Sequence, residues 1–232
     1  MSSFTFKEFT IQQDRCAMKV GTDGVLLGAW AEAREGHLLD VGMGTGLIAI
    51  MLAQRTQTSQ ICGVEIDAEA ASQAQQNVSA SPWSERVEVV HDDVFKMETT
   101  AMYDEIVSNP PFYTSSPSSS SAARDVARRA LPQFFPRLAA FVSRHLKDDG
   151  VFEVVLPADV ADDFVYMCWE QDLHLKRQTK IYTRQGKPCK RILLAFSRQQ
   201  RPPLKDALAI SDASGAYTGE YTALTRDFYL NV

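Results

Sequence analysis

His37-Leu38-Leu39-Asp40-Val41-Gly42-Met43-Gly44-Thr45-Gly46-Leu47-Ile48-Ala49-Ile50-Met51-Leu52-Ala53 reads as a buried strand, a glycine-rich turn and an apolar helix. A strand that feeds a helix through such a turn is the opening unit of a parallel α/β sheet. It places a ligand site at the strand's carboxyl end. The spacing departs from a dinucleotide fingerprint: Gly46 follows Gly44 too closely, and Leu47 stands where a dinucleotide site takes Gly or Ala.

Asp40 ends the strand just ahead of the turn. A carboxylate there repels a pyrophosphate but suits an ammonium or a sulfonium. The turn therefore reads as a site for S-adenosylmethionine rather than NAD, with Gly42, Gly44 and Gly46 letting the backbone approach it. The next strand, Gln60 to Asp67, ends in Glu65, where a ribose diol would be held, with Ile66 beside it. Asp67 reads as the N-cap of a helix over Ala68 to Ala80. A third strand, Val87 to His91, leads to Asp92 and Asp93. The Asp93 carboxylate can accept an adenine amine while the Val94 N–H meets a ring nitrogen.

A fourth strand delivers Asn109-Pro110-Pro111-Phe112. Ile106 and Val107 make a β-branched run that the double proline stops, and the prolines stiffen the backbone. The Asn109 side-chain oxygen and the Pro110 carbonyl can hold both N–H groups of a planar exocyclic amine. They would also stabilise the positive charge that grows on its nitrogen. Phe112 can stack on the ring and aim it. These four residues are the candidate catalytic set.

Upstream, Phe4 to Ile11 alternates as a strand or hairpin, and Lys19 to Asp23 is a polar loop able to meet a small charged ligand. Thr22 or Asp23 reads as the N-cap of a helix over Val25 to Ala33. Thr114 to Ala123 is Ser-rich and reads as a mobile loop. A helix through Leu138 and Leu146 is expected to end at Asp149-Gly150, before a strand over Val151 to Leu156. An amphipathic helix then covers Asp159 to Glu170. Leu173 to Thr183 and Arg191 to Ser197 read as a hairpin around Gln185 to Pro188, and Tyr217 to Leu230 as a terminal helix. The expected fold is α/β: a seven-stranded sheet, its last strand antiparallel, flanked by helices. It forms one domain over 1–232 with a short N-terminal extension, 1–35.

At 45% hydrophobic content the 232 residues suffice for one good core. The four cysteines and four histidines show no metal-ligand spacing, so no metal is expected and the thiols read as free, in a reducing compartment. No apolar h-region or bilayer-length run is present, which points to the cytoplasm; a monomer is expected. Charge is uneven. Ten Lys and Arg lie between Leu173 and Lys205 without an acidic residue, which leaves the rest of the chain at -15 against the total of -5. A one-sign stripe suits a polyanion. Lys176, Arg184, Lys187 and Lys190 are the candidate RNA contacts there, joined by Arg124 and Arg128 at helical spacing upstream.

The residues Asp40 to Gly46 together with Asn109 to Phe112 resemble the class I S-adenosylmethionine-dependent amino-methyltransferases, whose fold is a Rossmann-like seven-stranded sheet. Asp14 to Trp30, Ser81-Pro82-Trp83, Arg191 to Phe196 and Tyr221 to Thr225 are similar to the bacterial tRNA adenine N6-methyltransferases acting on adenine 37 of a valine tRNA. The Ser-rich stretch after Phe112 departs from that pattern. The resemblance implies that Asp40, Gly42, Gly44, Glu65, Asp93 and Asn109 meet the cofactor. It further implies that Lys19, Gly21, Thr22 and Asp23 close over its methionine end and that Asn109 to Phe112 hold the target amine of a tRNA. Enzymes with the same tetrapeptide methylate guanine N2 of rRNA or a glutamine side chain, and a non-catalytic cofactor- or RNA-binding module is the remaining alternative. A protein substrate would not need the basic stripe.

Overall fold

The computed structural model describes residues 2–16, 18–110 and 121–231, with the backbone alone for 121–132. Pro111, Phe112 and the Ser-rich stretch up to residue 120 lie outside the described residues, as do the side chains of Arg124 and Arg128.

The chain opens with a two-stranded hairpin, β1 (Ser3–Thr5) and β2 (Thr10–Gln12), followed by α1 (Thr22–Trp30). Alternation of strand and helix then builds β3 (His37–Val41), α2 (Leu47–Arg55), β4 (Gln60–Glu65), α3 (Ala68–Ala80), β5 (Val87–His91) and β6 (Tyr103–Ser108). After these come α4 (Ser121–His145), β7 (Leu146–Pro157), α5 (Ala161–Trp169), β8 (His174–Arg184), β9 (Arg191–Ser197), β10 (Leu204–Ser211) and α6 (Gly219–Thr225). The large sheet has the order β10-β8-β9-β7-β6-β3-β4-β5, in which β9 runs against all the others.

Neighbouring residues of each strand serve opposite faces, as the period of two requires. Leu38, Val107, Val151 and Leu193 pack with α1, α2 and the hairpin; Leu39, Ile106, Phe152 and Leu194 pack with α4 and α5. A sheet covered on both faces needs such near-continuous apolar strands. The link from α1 to β3 is tied to the sheet by two buried carboxyl groups. Glu153 accepts the Glu32 N–H, and Glu105 accepts those of Ala33 and Arg34. Burial raises both carboxyls, and for Glu153 the facing Glu105 adds to the rise.

Four expectations need correction. The sheet has eight strands, not seven: β10 pairs in parallel with β8 and covers its edge. Its Lys205 and Asp206 hide it as a sequence signal, yet Asp206 is what secures it, through Arg177 at 3.3 Å and the Thr179 hydroxyl. The N-cap of α1 is Gly21, with Thr22 and Asp23 already in the first turn, and the helix ends at Trp30. The helix before β7 stops at His145 rather than Asp149-Gly150, because Leu146 pairs with Tyr103 and Lys147 bonds Asp104 at 2.8 Å. The terminal helix is short, Gly219–Thr225, capped by the Thr218 hydroxyl.

Candidate active site

Strands β3, β4, β5 and β6 run parallel, so their carboxyl ends share one rim. The structure brings Asp40, Glu65, Asp93 and Asn109 to it. Gly42 and Gly44 adopt φ of +73° and +56°, and a Cβ at either would stand in open space. The turn is nonetheless firmly held. Gly42 and Met43 donate to the Val64 carbonyl at 2.9 and 3.1 Å, and the Gly44 N–H donates to Glu65 Oε2 at 2.8 Å. Glu65 Oε1 accepts the Asp67 N–H at 2.9 Å. Asp67 caps α3 as expected, accepting the Ala70 N–H at 2.8 Å.

Asp40 is buried completely beneath the turn. Its Oδ2 accepts the Ala49 N–H at 3.1 Å, bracing α2, and its Oδ1 has no partner among the described residues. Burial pushes this carboxyl up to about 7, with the Glu65 charge adding to the rise.

Ile66 is 66% exposed, an apolar side chain among polar strand ends. Asp93 accepts the Phe95 N–H at 3.0 Å and pairs with Lys96 at 3.5 Å. The Val94 side chain enters the core, while its N–H has no hydrogen-bond partner among the described residues. Asn109 follows β6. Its Nδ2 faces α1, 3.7 Å from where a Cβ at Gly24 would stand, and its buried Oδ1 has no partner among the described residues. Pro110 is buried beside it.

The loop before α1 reaches this rim. Gln13 Oε1 accepts the Val20 N–H at 2.7 Å, and burial raises the Cys16 thiol, with Lys19 opposing the rise and Asp14 and Asp67 adding to it. Asp23 is taken up by Arg191, with Nε 2.7 Å from Oδ2. Two residues that sequence reading missed anchor the segment before this loop. Gln73 and Asn77, one turn apart on α3, are buried. Gln73 accepts the Arg15 N–H and donates to Asp14. Asn77 donates to the Gln12 and Thr45 carbonyls and accepts the Gln12 N–H, so it joins β2 to the glycine turn. Buried amides on a helix face were the available signal.

The basic stripe divides. Lys176 stands near the start of β8, at the opposite end of the sheet, and pairs with Glu32. Arg177 lies over the Trp30 ring at 4.5 Å, and Arg198 pairs with Asp148 at 3.7 Å. Arg184, Lys187 and Lys190 instead occupy the β8–β9 turn, on the same rim as Asn109. Window counting missed the neutralising acids because they lie far away in the chain.

A nucleoside-bearing sulfonium cofactor fits this set. The orphaned Asn109 oxygen, the open backbone at Gly42 and Gly44, the exposed Ile66 and the strand-end carboxylates converge on one edge. Among the described residues no group of three or more His, Cys, Asp or Glu could hold a metal ion, and no helix is long and apolar enough to cross a membrane.

The Methyltransferase small domain family matches residues 18–158. A tRNA1(Val) (adenine(37)-N6)-methyltransferase of Phocaeicola vulgatus is 46% identical over 230 residues, covering 99% of this chain and 98% of that protein. Its counterpart from Photorhabdus laumondii is 44% identical, covering 98% and 95%. Among solved structures, an Agrobacterium tumefaciens protein described as a predicted O-methyltransferase superposes with a TM-score of 0.71. It is 19% identical and covers 91% of this chain and 100% of its own, a likeness of fold.

Proposed function

The chain belongs to the family of tRNA1(Val) (adenine(37)-N6)-methyltransferases, and on that footing we propose that it methylates N6 of adenine 37 in the anticodon loop of a valine tRNA, using S-adenosylmethionine. When bound, this cofactor supplies an electrophilic methyl group on a sulfonium. The glycine turn gives it a backbone wall. Glu65, with two acceptor positions already used by backbone N–H groups, retains lone pairs for the ribose diol. Ile66, Asp93 and the Val94 N–H would receive the adenine. Lys19 to Asp23 would stand at the methionine end, with Asp23 held by Arg191.

The observation that carries the reading is the buried Asn109 Oδ1 without a partner. A buried acceptor left unpaired costs about 1–3 kcal/mol, a loss that a substrate N–H would make good. The adenine amine is a poor nucleophile because its lone pair is delocalised into the ring. Asn109 Oδ1 and the Pro110 carbonyl accept its two N–H groups and stabilise the charge that develops there, with no general base. Phe112 would stack on the ring. Arg184, Lys187 and Lys190 would meet the phosphates, with Arg124 and Arg128 joining them from the chain after the tetrapeptide. A tRNA substrate and four free thiols support a cytoplasmic place for the reaction.

Labelled methyl transfer to tRNA, followed by nucleoside analysis, tests this. The parent should yield N6-methyladenosine, and a loop substrate should outperform the same sequence in a duplex, since the base must leave its stack. Asn109→Ala should lower turnover by about two to three orders of magnitude while the cofactor still raises the melting temperature. Methylation at the parental rate by Asn109→Ala would overturn the role given to it.

The rim should give binding a steep salt dependence. Reversing Lys187 and Lys190 to Glu should weaken RNA binding and flatten that dependence, whereas Lys176→Glu should not. Equal effects at both ends of β8 would refute the division of the stripe.

A further inference from the structure

Gly24 sits where three parts of the molecule meet. A Cβ there would lie 3.1 Å from Leu47 Cδ2, at the start of α2, and 3.7 Å from Asn109 Nδ2. The first turn of α1 is thus wedged between the helix that follows the glycine turn and the amide side chain at the end of β6. No side chain caps this turn, and its Gly21 N-cap is extended. The fixed point is one residue before Gly24, where Asp23 Oδ2 meets Arg191 Nε at 2.7 Å.

Arg191 is itself anchored on the sheet. It opens β9 opposite Pro157 of β7, and its Nη1 donates to the Lys190 carbonyl at 3.1 Å. The same carbonyl accepts the Ala158 N–H at 3.2 Å. Lys187 and Lys190 precede Arg191, on the tip of this hairpin. With the two side chains 27% and 29% exposed, the ion pair contributes little to stability. What it does is geometric: it connects the hairpin tip to the backrest of Asn109.

We infer that Arg191 is a positioning residue, which through Asp23 sets the first turn of α1 against the Asn109 amide and so ties the basic hairpin tip to the group that holds the target amine. This rests on the role proposed above for Asn109. A guanidinium already shared between a carboxylate and a carbonyl serves as a strut, in contrast to the neighbouring lysines at the same tip.

The test uses Arg191→Gln, Asp23→Asn, their double variant, Arg191→Lys and, as a charge control, Lys187→Gln. The Asn109 side-chain amide resonance, identified by its loss in Asn109→Ala, is followed by NMR. Melting temperature, cofactor affinity, kcat and KM for RNA are measured alongside. The Asn109 resonance should shift in Arg191→Gln and in Asp23→Asn, return towards the parental position in Arg191→Lys and stay put in Lys187→Gln. Both neutral variants should lose roughly ten- to a hundredfold in kcat, the double variant no more than either, with melting temperature little changed.

An unmoved resonance would overturn the inference, as would a raised KM for RNA in Arg191→Gln without any effect of Asp23→Asn, the signature of a phosphate contact. A parent that does not methylate tRNA would count against the proposed function. The resonance would still report whether the strut positions Asn109.

Discussion

Asp40 makes a pH-dependent contribution to stability that one substitution isolates. Burial lifts its carboxyl from 3.8 to about 7. A carboxyl raised in the folded state binds its proton more tightly there than in the unfolded chain. Its stabilising contribution is complete below pH 3.8 and is lost as the pH rises through about 7. At about 1.4 kcal/mol per pH unit the whole interval is worth about 4 kcal/mol.

Between pH 8 and pH 6 folded Asp40 goes from largely ionised to largely protonated, so the parent should gain about 1 kcal/mol. Both values lie above the isoelectric point of 5.4, so the chain stays anionic throughout. Asp40→Asn removes the titration. Its amide oxygen can keep the Ala49 N–H, and the cost of placing an NH2 where Oδ1 stands is the same at both pH values. Glu105 and Glu153 titrate in both proteins and cancel in the comparison. Thermal melts of the two proteins should therefore show the parent gaining about 2–4 °C on the variant from pH 8 to pH 6. Melting temperatures that move in parallel would show that folded Asp40 is ionised throughout, and the burial argument would fail.

Two further outcomes follow from the packing. Gly36→Ala forces a side chain onto a φ of +126° and places its Cβ 2.2 Å from Asp104 Oδ2, which bonds His37 N and Lys147. Urea unfolding should show a loss of at least about 2 kcal/mol, and an unchanged midpoint would contradict the geometry. Asn77→Leu strands the Thr45 carbonyl and both polar groups of Gln12, at about 3 kcal/mol in all. Calorimetry should also find weaker S-adenosylmethionine binding, because the turn loses its outer anchor; undiminished affinity would mean that Asn77 serves the fold alone.

Local chemistry was readable along the chain. Asp67 announces its own helix, Val87–His91 carries its strand in its β-branched residues, and the prolines after Asn109 mark where β6 must end. The glycine turn and the acidic strand ends mark the rim for the same reason: each depends on neighbours within a few residues. What stayed hidden depends on distant partners. Gln73 and Asn77 gain their meaning from residues 58 and 65 positions away. Lys176 and Arg177 read as free charge until Glu32 and Asp206 arrive beside them. Strand β10 has a polar first half because an aspartate there answers an arginine on β8. Gly21 caps α1, and Asp23, already in its first turn, is paired with Arg191 168 positions away.

The N-terminal hairpin has a consequence for the order of events during synthesis. Phe6 stacks between Phe9 and Tyr229, Phe4 meets Tyr229 edge-on, and the Lys7 N–H donates to the Phe228 carbonyl at 2.8 Å. These partners stand far apart in the sequence, so Phe4 to Phe9 leave the ribosome long before Phe228 and Tyr229. Until the segment after α6 emerges, the nascent chain must carry the aromatic cluster of its β1–β2 hairpin uncovered. The central strands can already pair by then, because the pairings among β3, β4, β5 and β6 lie within residues 37–108. Folding is thus sealed at a seam that closes last. A ribosome stalled before Phe228 would hold a sheet largely assembled around an open, adhesive edge, and that intermediate is the one a chaperone would find.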